Sequence, residues 1–167
     1  MIKEMMCDFS NFNEIDAFAV SIGPGSFTSV RIALSIIKGL AFALKSNIIP
    51  VPTLEGINDG LNDKNIHYVI INSFKNKCFI QKFKGNRIIG KPFIDDMENI
   101  IKLKDKIYIY SENIVNKEYE SIFPSSISLG EYAIKNSAKL SIPYNAEIKP
   151  IYLSENKFLK INDSRSK

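Results

Sequence analysis

Ala19-Val-Ser-Ile-Gly-Pro-Gly-Ser-Phe-Thr-Ser-Val-Arg-Ile-Ala-Leu-Ser-Ile-Ile-Lys-Gly39 joins a strand, a glycine-rich turn and an amphipathic helix without a break. Residues 15–22 ahead of the turn are apolar almost throughout, as in a strand covered on both faces. In Gly23-Pro24-Gly25-Ser26 the proline presets its own φ, and the glycines permit positive φ or close backbone approach. Thr28 is the expected N-cap. Val30, Ala33, Leu34, Ile37, Leu40, Ala41 and Leu44 then recur at helical spacing. A short strand at 48–51 completes a βαβ unit, which should pair in parallel.

Outward from this unit the alternation of strands and helices continues, so the fold class is α/β. Toward the N-terminus, Ile2, Met5, Met6 and Phe9 follow helical spacing and predict the last turns of an amphipathic helix. Toward the C-terminus, Thr53-Leu54-Glu55 opens a short helix, and strands are expected at 68–71, 77–84, 87–93 and 107–110. Gly85-Asn86 is the turn between the second and third of these. Asp95-x-x-Glu98 and Ser128-x-x-Glu131 read as capping boxes, the second opening a helix that runs to about Leu140. Two units are expected: a partial N-terminal lobe over 1–60, holding the glycine turn, and a second α+β lobe over 61–167.

The 167 residues carry 45% apolar and 24% charged side chains, enough for a substantial core. A net charge of +4 invites a nucleic-acid reading, but the positives are mostly lysines interspersed among 18 acids, without a basic run. Direct tRNA contact is therefore not expected of this chain alone. Cys7 and Cys78 lack CxxC spacing, which argues against a disulfide scaffold or a zinc site and for a reducing, cytoplasmic setting. No secretory leader or membrane span is expected.

Catalytic constellations are scarce. The glycine turn could aim helix N–H groups at an anion, making Gly23, Pro24, Gly25, Ser26 and Arg31 a candidate anion-binding set. It matches neither GxGxxG nor GxxxxGK[ST], and Pro24 removes one donor, so a structural turn is the stronger reading. Arg31 lies near the helix start, where the macrodipole disfavours a cation. A carboxylate or phosphate partner is expected there, with an exposed ion pair as the alternative and Lys38, at i+7, sharing its face. His67, the sole histidine, is expected at the surface. Phe79, Phe83, Tyr108, Tyr110 and Tyr152 could stack bases, but their apolar neighbours favour core packing. No catalytic residue, metal ligand or cofactor is expected.

The run from Gly23 closely resembles the Gly-Pro-Gly-Ser-Phe-Thr-Gly-Leu-Arg-Ile-Gly stretch of the TsaB (YeaZ-like) family of the bacterial machinery for threonylcarbamoyladenosine in tRNA. Ile15-Asp16-Ala17-Phe18-Ala19-Val20, Lys38-Gly39-Leu40-Ala41, Pro52-Thr53-Leu54-Glu55 and Lys149-Pro150-Ile151-Tyr152-Leu153 resemble further blocks of that family. The resemblance implies an actin/Hsp70/sugar-kinase-like (ASKHA) fold whose first lobe is incomplete, because the family's first strand and the start of its interface helix have no counterpart here. Ser29 stands where the family has glycine, and Ile37 where it often has alanine. Functionally it implies a non-catalytic scaffold that binds TsaD, the related subunit that transfers the threonylcarbamoyl group, in a larger assembly with a TsaE-like ATPase. The implied partner surface comprises Met5, Thr28, Ser29, Ala33, Ile36, Ile37 and Leu40. Homodimer and heterodimer both stay open at this stage, and tRNA enters only indirectly. Two other readings stand beside it: a glycoprotease-like or nucleotide-hydrolysing enzyme, and an inactive truncated relative.

Overall fold

A computed structural model describes residues 12–73, 75–100, 102–110 and 119–153. The helix expected over Met1–Phe9, and with it Met5, lies outside the described residues. After a 3-10 turn at Phe12–Glu14 come β1 (Ala17–Ser21), α1 (Phe27–Leu44), β2 (Asn47–Val51) and α2 (Thr53–Asp59). There follow β3 (Ile66–Asn72), β4 (Lys77–Lys84), β5 (Arg87–Asp96), α3 (Met97–Ile100), β6 (Lys106–Tyr110), β7 (Glu120–Ser121), α4 (Ser126–Lys135) and α5 (Ser137–Leu140).

The strands form two sheets. β1 and β2 pair in parallel, Ala17 opposite Asn47 through Ser21 opposite Val51, as a βαβ unit requires. The larger sheet has the order β5-β4-β3-β6-β7, with β3–β4 and β4–β5 antiparallel and β3–β6–β7 parallel. Gly85, at φ +56, makes the β4–β5 turn that the sequence marked at Gly85-Asn86.

The middle of the larger sheet is buried on both faces, so β3 and β6 are nearly continuous runs of apolar residues. On one face Val69, Ile71, Phe83 and Tyr108 pack under Leu54 and Ile57 of α2. On the other, Ile70, Cys78, Ile80, Ile107 and Ile109 pack with Ile100. Phe79 and Tyr110 join the first cluster, as their apolar neighbours suggest. Burial pushes the Cys78 thiol up to about 12, helped by the carboxylates of Asp95 and Asp96.

The small sheet is closed by residues from far along the chain. Val20, Leu34, Ala41 and Ile48 form a core against which Ile142, Tyr144 and Ile148 pack. Ile48 and Ile142 exchange backbone hydrogen bonds in an antiparallel bridge. On the opposite side Ile49 and Val51 meet Ala133 and Leu129 of α4.

Several local expectations are corrected. The α1 N-cap is Ser26, whose Oγ accepts from the Ser29 N–H, so the helix starts one residue before Thr28. The later helix is capped by Ser125 rather than Ser128, whose own hydroxyl donates back to the Ser125 carbonyl. It is also two helices, since the chain leaves helical geometry at Asn136. His67 is fully buried within β3, not at the surface.

The candidate docking helix and its anchoring turn

The blocks that resemble one family are distant in sequence and adjacent in space. Gly23 has φ +98, and a Cβ there would lie 3.0 Å from the Ile151 carbonyl oxygen, so the position requires glycine on both counts. The Ile151 N–H donates to the Ile22 carbonyl at 2.8 Å, and the Thr53 N–H to the Gly23 carbonyl at 2.9 Å. The Ser21 and Thr53 hydroxyls share a 2.6 Å hydrogen bond. The close approach that Gly23 permits is thus filled by the 149–153 segment of the chain itself. Gly23 and Pro24 are buried, Gly25 is half-buried, and Ser26 is exposed and committed to the helix cap.

That turn fixes the direction of α1. The helix lays Leu34 and Ala41 into the core, with Val30, Ala33 and Ile37 half-buried beside them. Its outer half carries Thr28, Ser29, Ile32, Ser35, Ile36, Gly39 and Ala43, all exposed. Ile32 keeps 54% of its surface exposed and Ile36 keeps 40%. Of the residues expected at the partner surface, Thr28, Ser29 and Ile36 face outward and Leu40 lies half-buried at the flank. Ala33 and Ile37 contact the core instead. Helical spacing alone marked one apolar stripe; the second, outer one is visible only when every apolar position from 27 to 44 is placed on the wheel.

Gly39 sits in the middle of this helix, and a Cβ there would meet nothing within 4 Å. A mid-helix glycine costs roughly 0.5–1 kcal/mol relative to alanine, and no packing among the described residues requires this one. Among the described residues α1 is also the one helix long and apolar enough to cross a bilayer by length and composition. Its inner side, however, is packed against β1 and β2 as in a surface helix.

Among the described residues Arg31 meets no carboxylate. Its Nε donates to the Tyr152 hydroxyl at 2.7 Å, and its guanidinium lies 3.7 Å over the Phe27 ring. Tyr152 is half exposed rather than packed in the core, its ring centroid 5.4 Å from that of Phe27.

A second polar locus lies between α2, α4 and the β4–β5 turn, where a cleft of about 380 Å³ is lined by Glu55, Asp59, Asn86, Tyr132 and Lys135 among others. Its polar groups largely satisfy one another. The Tyr132 hydroxyl donates to Glu55, and burial beside that carboxylate raises the phenol's pKa. Lys135 pairs with Asp59 at 2.7 Å, and the Asn86 amide donates to the same carboxylate. Among the described residues no three His, Cys, Asp or Glu side chains gather as a metal site.

The family model of TsaD, tRNA N6-adenosine threonylcarbamoyltransferase, matches residues 1–71. The tRNA threonylcarbamoyladenosine biosynthesis protein TsaB of Buchnera aphidicola subsp. Acyrthosiphon pisum is 47% identical over 55 residues, covering 32% of this chain and 25% of that protein. TsaB of Haemophilus influenzae is 42% identical over 55 residues, covering 32% of this chain and 23% of that protein. The chain therefore spans about a quarter of the length of the curated relatives it matches. In three dimensions the likeness runs much further. YeaZ from Pseudomonas aeruginosa superposes with a TM-score of 0.71 at 19% identity, over 91% of this chain and 82% of that one. A crystal structure of an uncharacterized protein with similarity to peptidase YeaZ, also from Pseudomonas aeruginosa, gives 0.73 at 20% identity, over 92% and 81%. The chain is thus TsaB-like over 55 residues and has a mixed α/β fold similar to YeaZ.

Proposed function

We propose that this chain is a non-catalytic scaffold that docks a TsaD-like protein on the outer half of α1 and so supports threonylcarbamoyl transfer to adenosine in tRNA. The carrying observation is that half-helix: Ile32 and Ile36 displayed to solvent beside a glycine that nothing among the described residues requires. Small residues at Ser35, Gly39 and Ala43 let a second helix approach closely, and the isoleucines supply the apolar area that makes docking favourable. The names of the similar proteins support a role in tRNA threonylcarbamoyladenosine biosynthesis. On this reading the two sheets are the remains of the paired lobes of an ASKHA fold. The chain works in the cytoplasm, and the complex engages a TsaE-like ATPase through its partner.

Co-expression with the cognate TsaD-like protein, followed by size-exclusion chromatography, tests the reading. The wild-type chain should elute as a one-to-one complex, and Ile32→Arg and Ile36→Arg should each abolish it. Both positions are exposed, so the variants should keep the wild-type thermal midpoint. Unchanged complex formation by both would overturn the assignment. Ala33 and Ile37 are poor choices for this purpose, because arginine at either would disturb the core.

The TsaD family model also gives a catalytic reading a footing, since its description is a transferase. Threonylcarbamoyl transfer to tRNA by the purified chain, without any partner, would establish that reading in place of the scaffold.

A further inference from the structure

We infer that Arg31 is the charged anchor of the docking surface, held ready to take a carboxylate side chain of the docked protein. The inference rests on the reading of α1 as a docking helix and gives that surface its polar chemistry. Arg31 lies in the second turn of α1, close to the positive end of the macrodipole. The macrodipole mildly disfavours a cation there, and among the described residues no carboxylate offsets it. The ion pairs that the structure shows are made by Lys77, Lys82, Lys106, Lys135 and Lys149. The hydrogen bond Arg31 does make goes to a neutral phenol through Nε. Both Nη groups stay free of protein partners among the described residues.

Its surroundings hold the guanidinium rather than neutralise it. Phe27 lies under the guanidinium plane at 3.7 Å, and the Tyr152 centroid is 5.5 Å away. Clamping an arginine between an aromatic ring and a phenolic hydroxyl removes much of the side-chain entropy that a partner would otherwise have to freeze. A planar fork with two free Nη groups matches a carboxylate in bidentate geometry. Phe27 and Tyr152 keep 55% and 52% of their surface in water. An exposed arginine flanked by two exposed aromatics has the composition of an interface hot spot.

A carboxylate on a protein fits better than a nucleic-acid phosphate. The same exposed half of α1 carries Ile32, Ile36 and Phe42, with Lys38 as its only other cation. Backbone tracking along RNA needs several cations in a row, whereas a protein interface pairs an apolar centre with a few fixed charges.

Calorimetric titration of the purified chain with the cognate TsaD-like protein, at low and high salt, tests this directly. Arg31→Met should weaken binding by about tenfold or more and flatten its salt dependence. Arg31→Lys should recover only part, because an ammonium restores the charge but not the fork. Tyr152→Phe removes only the Nε acceptor and should cost less than Arg31→Met. Wild-type affinity and salt dependence in Arg31→Met, with the complex intact, would overturn the carboxylate anchor alone. Failure of the wild-type chain to bind would remove the docking reading and the anchor together. Weakened tRNA binding in Arg31→Met with unchanged protein binding would replace the carboxylate by a phosphate and overturn the proposal.

Discussion

His67 stacks on Phe83, with ring centroids 5.9 Å apart, and meets Tyr108 edge-on at 5.4 Å. The Asn58 amide is oriented by its own donation to the Gly85 carbonyl, so His67 Nε2–H donates to Asn58 Oδ1 at 2.6 Å. One imidazole therefore ties α2 to β3 and, through Asn58, to the β4–β5 turn. His67→Ala would leave a buried acceptor unpaired and a void between two rings. It should cost about 2–4 kcal/mol of unfolding free energy in a urea titration; a loss below about 1 kcal/mol would contradict that role. The sequence hid this residue because a lone histidine beside Asn65 and Ile66 has the look of a loop. Its partner Asn58 stands nine positions earlier, on a helix, and no local pattern links the two. Arg31 was legible as an arginine in need of a partner. That Tyr152 would supply a neutral one was not, because 121 positions separate them.

At the scale of elements, periodicity located most strands and helices to within a residue or two. The misses share a cause: N-caps are decided by which hydroxyl reaches a free N–H, and neighbouring serines and threonines compete on equal terms. Ser26 won over Thr28, and Ser125 over Ser128. For α1 the inner stripe was legible and the outer one was masked by it. Gly39 offers a test at this scale that separates folding from docking. Gly39→Ala should raise the stability of the isolated chain by about 0.5–1 kcal/mol, read as a higher thermal midpoint. The same variant should bind the TsaD-like partner more weakly, because a methyl group now stands where a helix approaches. A gain in stability with unchanged affinity would place the contact elsewhere on the helix.

For the whole molecule, Asp63 connects the loop after α2 to the larger sheet. Its carboxylate accepts from the Asn65 N–H at 2.8 Å and the Tyr108 hydroxyl at 2.9 Å, and Lys106 lies 3.6 Å away. These donors, the Asn65 N–H first, hold its pKa below the usual carboxylate value. Since the folded state binds the proton less readily than the unfolded chain, the stabilisation is complete above the ordinary aspartate value. It is lost as pH falls through the lower folded one. Global unfolding should therefore become easier below about pH 4, and Asp63→Asn should flatten that part of the pH–stability curve. What no window of sequence disclosed is the return of residues 142–151 to the first sheet. Such pairings have no periodic signature, and only the family-like block at Lys149–Leu153 marked the segment as significant. The same return has a consequence for the order of assembly. The hydrogen bond from Ile151 to Ile22 and the bridge at Ile142 join the far ends of the described chain. During synthesis β1, α1 and β2 emerge early, yet their sheet gains its last cover only when residue 151 has left the ribosome. Until then the part of the first core that Ile142, Tyr144 and Ile148 cover stays open to solvent, and the nascent chain is exposed to premature association.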